Sequence, residues 1–420
     1  MPVTNSTRAA FVATIWVLGL HATLFWLSFC GSWRGLVGDE SQYITAAKGL
    51  LATGELTLGA LWPPLYPWFL AAAFSFGVHP LVALAIAQTL LLAVVAAAMR
   101  VIVSDVLGSR RAGSHAGFFV LGFPPLAAFA HYAWPEILFL ALLLPAVAFL
   151  VRRPDSVLAA LAAGLFCGLA LLCKLVFGPL LALIALGLLA HRRGTATRSA
   201  VVLLVVSSTV VLLVGPQLRT DTTIARVDTN LAFNTWVGLK DTSRRTFVDS
   251  IAGEEYRAFV ASAPDADGRT KVLYEKIGAL LEDRGLARVA TDQLSKQYVR
   301  LFDPESVFTA QLPGGAFDTR ASGYRDVSPA LGAVLRAVSW SAYFTLLGLA
   351  LVGGGWLRPW VGASRPQRIW MAVFAAFFAY NLAIFSVLHV ISRYRIALLP
   401  GLFLFAAAAS ARIFEGRTRQ

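Results

Sequence analysis

Apolar runs long enough to cross a bilayer recur along this chain, separated by short polar joints and two longer polar stretches. The pattern predicts spans near 9–30, 81–103, 116–133, 135–151, 156–173, 175–191, 199–215, 332–357, 369–390 and 395–411, about ten in all. The predicted fold class is an all-α polytopic membrane protein. Three parts follow: an N-terminal transmembrane module over 1–215, a mostly helical polar insert over 216–331, and C-terminal transmembrane helices over 332–420.

Between the first two spans, residues 31–80 form a loop of unusual make-up. It opens with Asp39 and Glu40, then places Ala46, Ala47, Leu50 and Leu51 at helical spacing. That spacing predicts a short amphipathic helix on the membrane surface. Trp62 to Trp68 follow, rich in aromatics suited to the headgroup level and in prolines that end a helix. The larger insert carries Leu273, Ile277, Leu280, Leu281, Val289, Leu294, Tyr298 and Leu301 at spacings that predict helices with one greasy face. No internal repeat stands out, which weighs against an inverted-repeat transporter.

Composition sharpens the class. With 57% hydrophobic residues and a mean hydropathy of +0.68, the chain is not a soluble domain. Its net charge of +13 is mostly topological. If the N-terminus is cytoplasmic, the short inner joints hold fifteen arginines, and the short outer ones hold only Arg34, Lys48, Lys174, Arg393 and Arg395. Both termini then lie inside, and both longer polar stretches outside. The insert is balanced, with 15 basic against 16 acidic residues. No basic patch interleaved with aromatics marks a soluble face, so nucleic acid is not an expected partner. The first span reads as a retained anchor, its apolar run being too long for a signal peptide. Cys30, Cys167 and Cys173 give no disulfide framework. A bridge between Cys30 and Cys173 and a set of buried thiols both stay open.

Under this topology Asp39, Glu40, Glu136, Lys174, His389, Arg393 and Arg395 reach one face from four separate connections. Charges near membrane depth are costly and usually serve a function. Each also has a plainer explanation. Arg393 and Arg395 would snorkel to headgroups, or would clamp a phosphate from either side of Tyr394. Lys174 interrupts an apolar hairpin, where an ammonium calls for an anion. Glu136 follows Trp134 and Pro135 at a helix start, where a carboxylate suits the dipole. His131 and His389 lack metal-ligand spacing and read first as interface residues. Tyr66, Glu136, His131, His389 and Tyr394 are candidates for contact with substrate. A carboxylate beside cations suits transfer from a lipid phosphate: the acid takes the proton of an attacking hydroxyl and the cations stabilise the departing phosphate. The residues call for no cofactor with certainty, and a divalent metal stays open.

Five short pieces in order then carry a resemblance: GDESQY at 38–43, PPLYPW at 63–68, the Pro-Glu at 135–136, LLCK at 171–174 and SRYRIALLP at 392–400. The helix KVLYEKIGALLEDR, with LSKQYVRLF and Asp303-Pro304 behind it, adds to it. In these the chain resembles the GT-C membrane glycosyltransferases, in the branch of the protein O-mannosyltransferases and the lipid A aminoarabinose transferases. The resemblance implies a GT-C fold and an inverting transfer of sugar from a polyprenyl-phosphate donor to a lipid, glycan or protein acceptor on the outer face. The Ala- and Arg-rich composition suggests a bacterial inner membrane, with the site then facing the periplasm or exterior. Asp39 matches the catalytic acid position and Glu40 its shaping neighbour. Lys174, Arg393 and Arg395 match cationic positions near the donor phosphate. Trp62 stands where aminoarabinose transferases often carry a lysine, and the long C-terminal domain of larger relatives has no counterpart here. Two other functions compete: a transporter or flippase of a lipid-linked substrate, which needs polar groups at mid-bilayer depth, and a non-catalytic assembly factor, which would tolerate loss of Asp39.

Overall fold

The computed structural model describes residues 5–31, 35–56, 62–190, 194–217, 227–240, 249–262, 266–317, 323–324, 326–356, 361–388 and 392–417. Among these the chain is helical, with no strand. The helices are α1 (Asn5–Trp26), α2 (Glu40–Thr53), α3 (Leu65–Phe74), α4 (Pro80–Leu107), α5 (Arg110–Gly122), α6 (Pro124–Ala128), α7 (Glu136–Arg152), α8 (Val157–Leu171), α9 (Gly178–Ala190), α10 (Gly194–Thr209), α11 (Gly215–Gln217), α12 (Val227–Lys240), α13 (Asp249–Ser262), α14 (Ala266–Arg284), α15 (Leu286–Leu301), α16 (Val307–Gln311), α17 (Pro329–Leu351), α18 (Arg365–Val387) and α19 (Leu399–Arg417).

Helices occupy all ten apolar stretches, and length separates them. Among the described residues five are long and apolar enough to cross a membrane: Ala10–Phe29, Pro80–Leu107, Thr197–Val214, Pro329–Gly355 and Arg365–Ser386. A sixth counts if α5 and the segment Pro124–His131 form one span, bent by 51°. The bend falls where Pro124 and Pro125 remove amide donors and push Phe123 to an extended conformation. Val157–Leu171, Gly178–Ala190 and Leu399–Phe414 are apolar but shorter, so length alone does not establish ten crossings. The fold is that of an integral membrane protein.

Local chemistry sets the helix ends. Ser109, Ser156, Ser328 and Ser364 accept from the first-turn amides of α5, α8, α17 and α18, and prolines open α4, α17 and α18. At one end of the membrane helices Arg152 pairs with Asp105 at 3.1 Å, and Arg365 donates to the carbonyl of Ala190 at 2.8 Å. These joints hold some of the arginines on which the expected orientation rests. Where α19 crosses the segment after α17, a Cβ on Gly353 would lie 1.8 Å from the Phe405 carbonyl oxygen, so only glycine permits that approach.

One large apolar core runs through the membrane helices. In the insert a small core of Ala232, Phe233, Val237, Phe259 and Leu273 joins α12, α13 and α14. Trp62, from the loop after the first span, packs against both cores. Helix α15 differs from its expected pattern. Leu294 is exposed, and Gln293, Lys296, Gln297 and Arg300 are buried with Val289 and Leu301. Gln293 and Lys296 both donate to the Gly238 carbonyl, at 2.8 and 2.7 Å, satisfying the end of α12. Polar groups face inward because they cap another helix. The Tyr298 hydroxyl donates to the Leu382 carbonyl at 3.1 Å and ties α15 to α18. Cys167 and Cys173 are free buried thiols; the side chain of Cys30 lies outside the described ones.

Candidate active site

The site is built where the first outer loop meets the starts and ends of the membrane helices. Gly38 adopts φ +55°, a left-handed backbone conformation that favours glycine, and packs against Trp134. The turn places Asp39 at the N-cap of α2 and Glu40 as its first residue. Glu40 is fully buried. One carboxylate oxygen accepts from the Val37 amide and the other from the Ala133 amide, both at 2.8 Å. Glu40 therefore stitches the loop to the turn that precedes α7. Asp39 keeps 35% of its side chain exposed.

That turn is itself braced. The Gln88 amide donates to the Tyr132 carbonyl at 2.6 Å, and Tyr66 donates to Gln88 at 3.4 Å. The Tyr132 hydroxyl donates to Gln311, and its ring stacks on Trp134 at 5.1 Å. Tyr66 meets Tyr43 edge-on at 5.0 Å. Burial, aided by the Asp39 carboxylate, pushes the Tyr43 phenol well above its usual range, so it stays a neutral hydroxyl. The sequence gives Tyr43 no signal beyond its place in GDESQY. The Leu65 amide bonds the Leu172 carbonyl at 3.2 Å, pinning the proline-rich loop to the connection that carries Lys174.

Four charged side chains then meet. Arg393 sits on the tight helical turn Ser392–Ala397 between α18 and α19. Its Nη1 donates to Asp39 Oδ2 at 3.0 Å, and its Nε lies 3.2 Å from Glu136 Oε1. The Lys174 ammonium stands 2.8 Å from the same Glu136 oxygen. Aromatic faces flank the cations: Arg393 lies over Trp134 at 4.8 Å and Lys174 over Tyr394 at 5.6 Å. Burial lowers the Lys174 ammonium, and the Glu136 carboxylate works against that. The cluster thus joins one partly open carboxylate to a buried carboxylate, a buried arginine and a part-buried lysine.

The other candidates separate. Arg395 is buried elsewhere: its guanidinium donates to the carbonyls of Asp303 and Glu305 and covers the Tyr343 ring at 4.7 Å. Tyr66 lies beneath the cluster in the Gln88 network, and Tyr394 flanks it, stacked on Phe385 at 5.5 Å. His131 is buried 6.2 Å from the ring of Phe29. His389 lies outside the described residues. No group of three or more His, Cys, Asp or Glu side chains is arranged to hold a metal among the described residues. Glu40 serves amides, while Asp39 and Glu136 serve cations, a donor set that does not fit a divalent ion.

No sequence-family model and no curated protein matches the chain. Solved structures do. The oligosaccharyltransferase AglB from Archaeoglobus fulgidus, in complex with an inhibitory peptide and a dolichol-phosphate, is similar over 97% of this chain and 51% of its own. The TM-score is 0.50 and the identity 12%. An Archaeoglobus fulgidus oligosaccharyltransferase in the apo form gives a TM-score of 0.50 and 13% identity over 96% of this chain and 51% of its own. The chain has the GT-C fold. It spans about half the length of AglB. ArnT from Cupriavidus metallidurans bound to undecaprenyl phosphate is similar over 96% of this chain and 78% of its own, with a TM-score of 0.40 and 19% identity. At these identities the likeness is one of fold. Within this GT-C fold the ionic cluster lies at the end where α7, α9 and α19 begin and α18 ends.

Proposed function

We propose that this protein is an inverting glycosyltransferase that moves a sugar from a polyprenyl-phosphate donor to a hydroxyl of a cell-envelope lipid, polysaccharide or protein. The site would face the periplasm or exterior from a bacterial inner membrane. The observation that carries this reading is the Asp39–Arg393–Glu136–Lys174 cluster, which puts a partly exposed carboxylate beside a buried arginine and a part-buried lysine. AglB was solved with a dolichol-phosphate, which has the lipid phosphate chemistry such a cluster suits.

In the proposed reaction the acceptor hydroxyl attacks the anomeric carbon and gives its proton to Asp39. The bond between that carbon and the phosphate oxygen breaks, and its electron pair stays on the phosphate. Lys174 and Arg393 balance the new charge, with donors already oriented by Glu136 and the aromatic faces. Arg395 would hold the exit of the insert against α17 rather than touch the phosphate. A transporter would need charge deeper in the bilayer, and the cluster gathers at one end.

Transfer should be assayed with purified protein in nanodiscs, given polyprenyl-phosphate sugars and cell-envelope extract as acceptor. Release of free polyprenyl phosphate with appearance of a glycosylated acceptor is the expected result. Movement of the intact lipid-linked sugar across the bilayer without transfer would favour a flippase instead.

A further inference from the structure

The edge of the Arg393 guanidinium meets Asp39 and Glu136, and its face lies over Trp134 at 4.8 Å. A guanidinium binds anions through its edge and stacks through its face, so the ring beneath it bears on where the fork points. Trp134 comes from the turn before α7 and is 2% exposed. Its indole N–H meets no hydrogen-bond acceptor among the described residues. The ring is therefore held by its faces rather than by its polar edge.

Tyr132 supplies that hold, the two rings stacking at 5.1 Å and 15°. Tyr132 is in turn fixed at two points. Gln88 of α4 donates to its carbonyl at 2.6 Å, and its hydroxyl donates to Gln311 at the end of α16. Gln311 is fully buried, and its own carbonyl accepts from the Tyr324 amide at 3.0 Å. A capping box between Ser306 and Thr309 secures the start of α16. This stretch, 303–311, is the one by which the chain leaves the insert after α15. Arg395 anchors its first residues beside the arginine turn by donating to the carbonyls of Asp303 and Glu305.

We propose that the stretch leaving the insert sets the orientation of the Arg393 guanidinium, with Trp134 as the positioning residue and Tyr132 and Gln311 as its support. The inference rests on the donor reading above. It couples the insert to the phosphate site through one line of contacts, Gln311 to Tyr132 to Trp134 to Arg393. Trp134 acts through the cation rather than on the lipid.

The test is a double-mutant cycle on the affinity of the full-length protein in detergent for undecaprenyl phosphate. Trp134→Leu should weaken binding by roughly tenfold, the loss of a desolvated cation–π contact. Tyr132→Phe keeps the stack, loses only the bond to Gln311, and should weaken binding by about threefold. In an Arg393→Ala background each change should cost less than about twofold, because the group it positions is gone. A merely structural role would cost the same factor in both backgrounds. That result, or single variants that bind as tightly as the wild type, would overturn the inference and leave the donor reading standing. Should Trp134→Leu fail to fold, the cycle with Tyr132→Phe decides alone. If Arg393→Ala itself binds the lipid as tightly as the wild type, the donor reading fails and the inference falls with it.

Discussion

Arg393 Nη1 meets Asp39 Oδ2 at 3.0 Å across 354 residues of chain. The contact joins the first outer loop to the last connection between membrane helices, so it forms only once the whole helical set is assembled. Two residues on, Arg395 donates to the backbone carbonyls of Asp303 and Glu305. The two arginines should therefore behave differently. Arg393→Ala should weaken binding of a polyprenyl-phosphate lipid by about one to two orders of magnitude, the loss of a charge-assisted bond worth roughly 1.5–3 kcal/mol. Arg393→Lys should recover only part, because the planar fork is lost. Arg395→Ala should lower the melting temperature with lipid affinity changed far less. Parallel lipid titrations and melting curves on the three variants check this; equal loss of affinity in both alanine variants would place both arginines at the phosphate.

Glu40 should prove to be a brace. Its carboxylate serves two amides, and in Glu40→Ala each amide left without an acceptor costs about 1–3 kcal/mol. The melting temperature in detergent should fall markedly, and a stable, fully active Glu40→Ala protein would contradict the brace. Glu40→Gln keeps one acceptor oxygen and should fall less.

The insert carries its own acid-sensitive contact. Glu255 accepts from the Trp236 indole at 2.6 Å and pairs with Lys240 and Lys276. Burial opposes its ionised form, but the bonds from Lys240 and Trp236 outweigh that and hold its carboxyl below the usual range. A depressed folded value means this stability is present above the unfolded value and is lost as pH falls through the folded one. Glu255→Gln should lower thermal stability at neutral pH and flatten its decline below about pH 4.5. Melting curves from pH 7 to 3 decide it: a decline as steep in the variant as in the wild type would exclude Glu255.

Much of this site was legible because cost marks it. An acid or a lysine at the rim of an apolar hairpin stands out, and Asp39, Glu136, Lys174 and Arg393 do come together. What the sequence hid has physical reasons. Spacing two apart suggested that Arg393 and Arg395 clamp one group, but a turn of about three residues points such neighbours in different directions. Apolar periodicity placed Leu294 inside, yet α15 turns Gln293 and Lys296 inward to cap the end of α12. That partner is distant in sequence and leaves no local trace. The single stretch expected over 116–133 is broken at Phe123 by two prolines whose effect periodicity does not weigh.

The arginine asymmetry predicts that the polar insert lies outside the cytoplasm. In a version lacking native cysteines, single cysteines placed in exposed positions of α14 and α15, such as Lys271 and Arg288, should label with a membrane-impermeant thiol reagent in intact cells. Labelling only after lysis would invert the topology and turn the candidate site toward the cytoplasm.

The most direct test is turnover by Asp39→Asn. Asparagine keeps the shape and a hydrogen-bonding oxygen for Arg393 but cannot take the acceptor's proton. In nanodiscs, with a polyprenyl-phosphate sugar and its acceptor, turnover should fall by about two to four orders of magnitude, while melting temperature and lipid binding stay close to wild type. An Asp39→Asn protein that transfers sugar at near the wild-type rate would contradict the assignment of Asp39 as the base.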